Sequence, residues 1–489
     1  MVKKHDRLLE ILPGFISWNI ILFPYWGILV IPNIVAYFIL IFNIYWFYQS
    51  FQLSLAAIIS HFRIEATKKY NWLADIAIFP DSKKVVHLVI IPTYKEPIYI
   101  LKRTLDSLKN QELSTKQIIP LIAFEEKENI IDRNEKEKII KKEYSNIFKE
   151  IITTVHNLVP GEVAGKAANE RFAAVYFKKN RIDNKKIDRN YLVVTSSDSD
   201  HTFHKKHFAV LTFKFLDSPQ RYNRFWQAAV MFYNNIWEVP ALTRVPNTFG
   251  SIWNLAQLTR KDRLINGQNY SLSYNLLEDA DFWDPDKIPE DWGIFFKAFY
   301  KRKGKVEVEP IFLPLFADAP KSKTFFGTLK NQYEQFKRWA WGVSDVPWIM
   351  KKYFQEGDVA FGDKFFRLFF VLKAHILWPV NWFLITIGLT LPTVINPAFG
   401  RTSLGYMVPQ ISSAILTIAL VFLVIMIIID SFYKPKRPAG MPAWRTMISP
   451  LEFILMPLVG FLFSALPGLD AHTRLMLGKY IEYKVTEKV

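Results

Sequence analysis

The chain has 489 residues, of which 50% are hydrophobic, 16% aromatic and 22% charged. This is too apolar for an ordinary water-soluble protein and too charged for a pure membrane channel, so two parts built for two solvents are expected. The net charge of +17 suits anionic lipid headgroups or phosphorylated substrates as well as nucleic acid, and no nucleic-acid-binding motif favours the last. The absence of cysteine excludes thiol catalysis, thiolate metal sites and disulfides.

No Lys, Arg, Asp or Glu occurs between Glu10 and Arg63. One crossing needs about 20 apolar residues, so this stretch holds two. Pro24, Pro32 and Asn33 near its middle suit the turn of a helical hairpin, and no small-residue cleavage site marks a signal peptide. Lys3, Lys4 and Arg7 before it, with Arg63, Lys68 and Lys69 after it, put both ends on the cytoplasmic side.

From residue 85 the pattern changes to strand–helix alternation. Strands are predicted over 85–91, 117–124, 151–156 and 191–196, and helices over 97–109, 127–150 and 167–178. That order predicts a parallel sheet covered by helices, with ligands at the carboxyl ends of the strands. The polar residues fall there: Thr93 to Glu96, Glu125, and Asp198 to His201.

A basic aromatic stretch with Phe336, Trp339, Trp341 and Trp348 among Lys330, Lys337, Lys351 and Lys352 reads as core packing or as helices at a membrane interface. Spans are predicted over 368–395 and 408–429, with Lys434, Lys436, Arg437 and Arg445 inside. The last apolar run, 447–469, holds Glu452 and is cut by Pro450, Pro457 and Pro467; it crosses the bilayer, lies at the interface or re-enters. The divisions are a hairpin over 1–64, an α/β domain over 65–324, interfacial helices over 325–362, membrane helices over 363–433, and an interfacial or re-entrant segment with a tail over 434–489.

Ser197-Asp198-Ser199-Asp200-His201 directly follows a predicted strand. Two carboxylates one residue apart suit Mg²⁺ or Mn²⁺ bridging diphosphate oxygens, although Asp-x-Asp alone also makes a solvated turn or helix cap. His201, His204 and His207 have zinc-like spacing but read better as a solvated helix start beside Lys205 and Lys206. Asp279, Asp281 and Asp284 read as turn residues and caps. The stretch 222–258, with Trp226, Gln227, Trp237 and Trp253, is either acceptor-facing or core.

Ile91-Pro92-Thr93-Tyr94-Lys95-Glu96, the Asp-x-Asp-His element and Gln335-Phe336-Lys337-Arg338-Trp339 occur in that order. Together they resemble family 2 glycosyltransferases, especially the membrane-integrated branch with cellulose and hyaluronan synthases. Gly165-Lys166-Ala167 is similar to that branch's Lys-Ala segment. Pro289-Glu290-Asp291 resembles its Thr-Glu-Asp motif, and Tyr483-Lys484-Val485-Thr486-Glu487-Lys488 its gating loop. Two departures stand out: Glu125-Glu126 replaces the usual acidic pair, and Pro289 replaces the usual threonine.

The resemblance implies a GT-A-type α/β nucleotide-sugar-binding domain inserted between α-helical transmembrane segments, facing the cytoplasm. It implies that Thr93, Tyr94, Glu96, Glu125 and Lys166 bind the nucleotide. Asp198 would contact the nucleotide and, with Asp200, hold Mg²⁺ or Mn²⁺. Asp291 would be the general base, with Glu290 beside it; Gln335 and Arg338 would meet the diphosphate and Trp339 the acceptor. Tyr483, Val485, Thr486 and Lys488 would form a gating loop. The implied reaction is inverting transfer from a nucleotide-sugar, UDP-linked, to a growing β-linked polysaccharide. A single transfer to a lipid acceptor is the alternative, and a non-catalytic membrane receptor or transporter a further one. Membrane lipids, and an export partner or a second copy, are the expected partners, with no nucleic acid among them.

Overall fold

The computed structural model describes residues 4–260, 264–386, 388 and 391–483. The N-terminal hairpin consists of helices Lys4–Val30 and Pro32–Lys69. The break falls at Ile31, where Pro32 opens the second helix at a position that needs no amide proton. Ile28 shares a buried cluster with Val35, and Ile21 one with Phe42, so the two helices run antiparallel. A Cβ on Gly27 would lie 2.7 Å from Val35 Cγ2; the glycine permits this approach. The second helix, 38 residues or about 57 Å long, outruns a bilayer core and buries Ile64 in the core of the α/β domain.

The domain holds one eight-stranded sheet. Its strands are β1 (Val86–Thr93), β2 (Ile118–Glu125), β3 (Ile152–His156), β4 (Leu192–Ser196), β5 (Thr202–Phe203), β6 (Arg224–Met231), β7 (Tyr270–Ser273) and β8 (Glu307–Phe316), in the order β3-β2-β1-β4-β7-β6-β8-β5. Strands β1 to β4 pair in parallel, joined through helices Ile98–Lys109, Ile130–Tyr144 and Lys166–Phe177. Side chains alternate between two cores: Val89, Ile91, Ile122 and Phe124 face one, Leu88, Ile90, Leu121 and Leu192 the other. Such strands, buried on both sides, carry the continuous apolar runs that made them legible.

The sheet is not parallel throughout. β7 runs antiparallel to β4 and β6, and β5 antiparallel to β8, while β6 and β8 are parallel. Only residues 197–201 separate β4 from β5, too few for the crossover that a parallel neighbour requires.

Helices Phe361–Thr386 and Ser403–Tyr433 and the run Ala443–Met476 join the hairpin as five segments long and apolar enough to cross a membrane. The last is broken: Pro450, Pro457 and Pro467 each stand in the first turn of a new helical piece, where proline is tolerated. Its end packs on the first helix through Ser17–His472 at 3.1 Å and Trp18–Thr473 at 2.9 Å. Polar clamps join the domain to these helices, including Tyr233 to Asp430 at 2.5 Å and Arg244 to Glu452 at 3.0 Å. The architecture is thus an α/β domain set between apolar helices.

Candidate active site

A cavity of about 300 Å³ opens at the carboxyl ends of β1, β2 and β4, closed on its far side by helix Phe325–Ala340. Thr93, Tyr94, Glu96, Glu125, Lys166, Asp198, Asp200, Gln335, Arg338, Trp339 and Tyr483 all line it. Residues 390 positions apart in sequence therefore share one space.

After β1 the chain turns sharply, with Lys95 at φ 65°. Glu96, 8% exposed, holds the turn: one carboxylate oxygen accepts the Thr93 hydroxyl at 2.8 Å and the Tyr94 amide at 2.5 Å. At the end of β2, Glu125 meets His156 Nδ1 at 3.1 Å, and His156 Nε2 meets Glu162 at 3.1 Å.

After β4, Asp198, Asp200 and His201 bring ligand atoms within 4.8 Å of one another, the sole such group among the described residues. Asp200 is fixed: its Oδ2 accepts the Asp318 amide at 2.8 Å and its carbonyl accepts Asn234 Nδ2 at 2.9 Å. His201 Nδ1 accepts the Asp198 amide at 3.1 Å. In the neutral ring Nε2 then carries the proton, which suits a donor to phosphate oxygen better than a metal ligand. The two carboxylates remain, and their hard oxygens fit Mg²⁺ or Mn²⁺.

Lys166 opens its helix, a poor place for a cation by the helix dipole. It is held there by Glu290 at 2.8 Å, Asp198 at 2.9 Å and the Gln268 carbonyl at 3.1 Å, with Glu170 at 4.0 Å. Burial alone would lower the ammonium's pKa, but the Asp198, Glu290 and Glu170 carboxylates hold it well above its ordinary value. Burial, partly countered by Lys166, pushes Glu170 up to about 8.

Asp291 and Glu290 stand one layer behind the wall. Asp291 opens helix Asp291–Lys301, with Oδ1 on the Trp292 amide at 2.8 Å and Oδ2 on the Gln268 amide at 3.2 Å. Gln268 lines the cavity and separates Asp291 from it. Burial first, then the Glu290 carboxylate, push Asp291 up to about 7. Glu290 is the counter-ion of Lys166 rather than a group facing the cavity.

On the far wall, Trp339 packs against Phe336 at 4.9 Å and Phe232 at 5.7 Å between ring centroids. The Arg338 guanidinium lies 4.9 Å over the Tyr483 ring. A Cβ on Gly165 would sit 3.2 Å from that ring, so a larger residue there would crowd Tyr483 by a few tenths of an ångström. Val485, Thr486 and Lys488 lie outside the described residues.

Other sequence candidates fall elsewhere. Asp279 pairs with Arg302, Asp284 with Lys297 at 2.6 Å, and Asp281 has φ 55°, as turn residues would. His207 is not solvated: it is fully buried against Phe203 and Phe208, and burial pushes its pKa down to about 3. Trp226 is core, and Trp253 is 42% exposed, so within 222–258 neither faces the cavity, whereas Phe232 does. Sequence reasoning missed Gln268, Asp318 and His156. Asn266-Gly267, a turn signal just ahead of Gln268, was the available clue.

No protein-family model matches the chain, and no curated protein matches it. Among solved structures, it resembles the mannosyltransferase PcManGT from Pyrobaculum calidifontis, in complex with GDP-Man and Mn²⁺. The overlap covers 81% of this chain and 100% of that one at 13% identity and a TM-score of 0.45. Residues 1–349 of S. aureus TarS overlap 73% of this chain and 98% of theirs at 12% identity and a TM-score of 0.36. These overlaps are partial; the fold class stands on the sheet order and the apolar helices around it.

Proposed function

We propose that the chain is a membrane-integrated glycosyltransferase with a GT-A-type domain, of the family 2 class. It moves a sugar from a nucleotide-sugar, UDP-linked, to a growing β-linked polysaccharide at the cytoplasmic face. The observation that carries this reading is the convergence in one cavity of the β1 turn, Glu125, the Asp198–Asp200 pair, Lys166 and the Gln335–Arg338–Trp339 helix. Hard carboxylate oxygens beside fixed cations suit a diphosphate, and an indole face suits a sugar ring.

Asp198 and Asp200 would hold Mg²⁺ or Mn²⁺, which when bound neutralises charge on the departing diphosphate. Arg338 supplies a guanidinium to the same oxygens. Asp291 takes the proton of the acceptor hydroxyl, and its raised pKa keeps it basic enough near neutral pH. Since Asp291 stands behind Gln268, the acceptor hydroxyl approaches alongside that residue. Direct displacement inverts the anomeric carbon, so an α-linked donor gives a β-linked product.

A second reading, one transfer to a lipid acceptor, draws support from the same helix. It begins with Phe325 and Phe326, 51% and 80% exposed, an apolar pair that suits a lipid acceptor. The test is donor turnover by the purified chain in nanodiscs, with UDP- and GDP-sugars and either metal. Nucleotide release that requires metal and Asp291 supports the transferase; no release from any donor, with lipid extract added, rejects it. A product ladder or one added sugar then separates the two acceptors.

A further inference from the structure

His156 is 1% exposed at the end of β3, yet both of its ring nitrogens face carboxylates. Nδ1 lies 3.1 and 3.2 Å from the two oxygens of Glu125, and Nε2 lies 3.1 Å from Glu162. A neutral imidazole has one N–H and one lone pair, so it satisfies one of these contacts and sets its lone pair against the other carboxylate. Both contacts are attractive only for the imidazolium. Phe172 packs on the ring at 5.4 Å, and the Glu126 amide donates to the His156 carbonyl at 2.9 Å.

The two carboxylates belong to two different parts of the cavity wall. Glu125 lines the cavity directly. Glu162 also accepts the Val159 amide at 3.1 Å, so it shapes the loop 157–164 that delivers Ala164 and Gly165 to the same cavity. One buried ring thus joins a strand end and a loop.

We propose that His156 is a positioning residue for the donor: its imidazolium orients Glu125 to accept a ring N–H of the nucleobase and ties down the loop before Gly165, so donor binding weakens when the ring loses its proton. This rests on the transferase reading of the cavity. A carboxylate is an acceptor only, so it selects bases that present a ring N–H. Uracil and guanine do; adenine and cytosine present a ring nitrogen that is itself an acceptor. Burial works against the imidazolium, but Glu125 and Glu162 outweigh it and raise the His156 pKa above its ordinary value. The clamp therefore opens at a higher pH than an ordinary imidazole would.

The experiment is calorimetric binding of UDP-glucose, GDP-mannose and ADP-glucose to the full chain in nanodiscs with Mg²⁺, from pH 6 to 9. The diphosphate diesters do not titrate in that range, and the ring N–H of uracil or guanine begins to ionise only at its alkaline end. The parent is expected to lose about tenfold in affinity across it, the weight of one charge-assisted contact. His156→Gln is expected to bind at pH 6 as weakly as the parent does at pH 9, with the donor KM raised and kcat retained. Glu162→Gln supplies the decisive arm. Its amide N–H can donate to Nε2, so a neutral ring suffices for Glu125, and the parent's loss between pH 6 and 9 shrinks to the part contributed by Glu170, which is pushed up to about 8. Melting temperatures confirm that each variant folds. The inference is overturned if His156→Gln binds like the parent at pH 6, if Glu162→Gln keeps the parent's pH dependence, or if ADP-glucose binds as tightly as the other donors. Should the parent bind no donor at any pH, the transferase reading fails instead.

Discussion

Replacing Asp291 by asparagine separates a catalytic base from a structural cap. The carboxyl is lifted from 3.8 to about 7, some three units, which at 1.36 kcal/mol per unit is about 4 kcal/mol disfavouring the ionised form in the fold. A carboxylate whose folded pKa is raised contributes stability that is complete below its unfolded value and is lost as pH climbs to the folded value. At pH 8 the parent carries that cost in full, whereas asparagine never titrates. The variant forfeits one of two acceptor bonds, to Gln268 or Trp292, for about 1 kcal/mol. Asp291→Asn should therefore melt higher than the parent at pH 8, by the equivalent of about 3 kcal/mol, and no higher at pH 4. Turnover should fall by about 10²–10⁴-fold. The parent's kcat/KM should rise tenfold per pH unit up to about 7 and then level, and the variant should lose that limb. Nucleotide release in nanodiscs across pH 5 to 9, with thermal melts on the same samples, reads both. Retained turnover, a limb that survives in the variant, or a lower melt at pH 8 would refute the reasoning.

Asp200→Ala should abolish metal-dependent nucleotide binding, and Trp339→Ala should leave it intact while impairing acceptor use; calorimetry with and without Mg²⁺ distinguishes them. Equal nucleotide binding by both variants and the parent would remove Asp198–Asp200 from the metal role. Lys166→Gln should destabilise by about 3–5 kcal/mol by leaving Asp198, Glu290 and Glu170 without their cation. The loss should be greatest above the raised pKa of Glu170, about 8, and should shrink on acidification as that carboxyl protonates; melts from pH 5 to 9 measure it.

The parts legible in the sequence were those with local signals. β1, β2 and β4 carry apolar runs because both faces are buried, and the hairpin's uncharged stretch is long enough for two membrane crossings. The antiparallel half escaped notice because β5 is two residues long and β7 four, below the length at which periodicity speaks. The cavity's motif residues stood out as turn and strand-end polar groups. Gln268 did not, since its importance lies in its backbone: its amide and carbonyl, at φ 55°, serve Asp291 and Lys166. His156 was equally silent, being an ordinary strand-end residue until the fold sets Glu162 behind it.

The order in which the cavity's walls occur along the chain has its own consequence. Thr93 to Asp200 are translated first, but Gln335, Arg338 and Trp339 follow the whole α/β domain, and Tyr483 follows three apolar segments. A nascent chain that has completed the sheet still lacks the far wall and the ring that rests on Gly165. A fragment ending at residue 324 would keep the sheet's carboxyl-end groups and lose every wall residue beyond. Completion of the cavity is thereby tied to synthesis of the apolar helices that follow the domain.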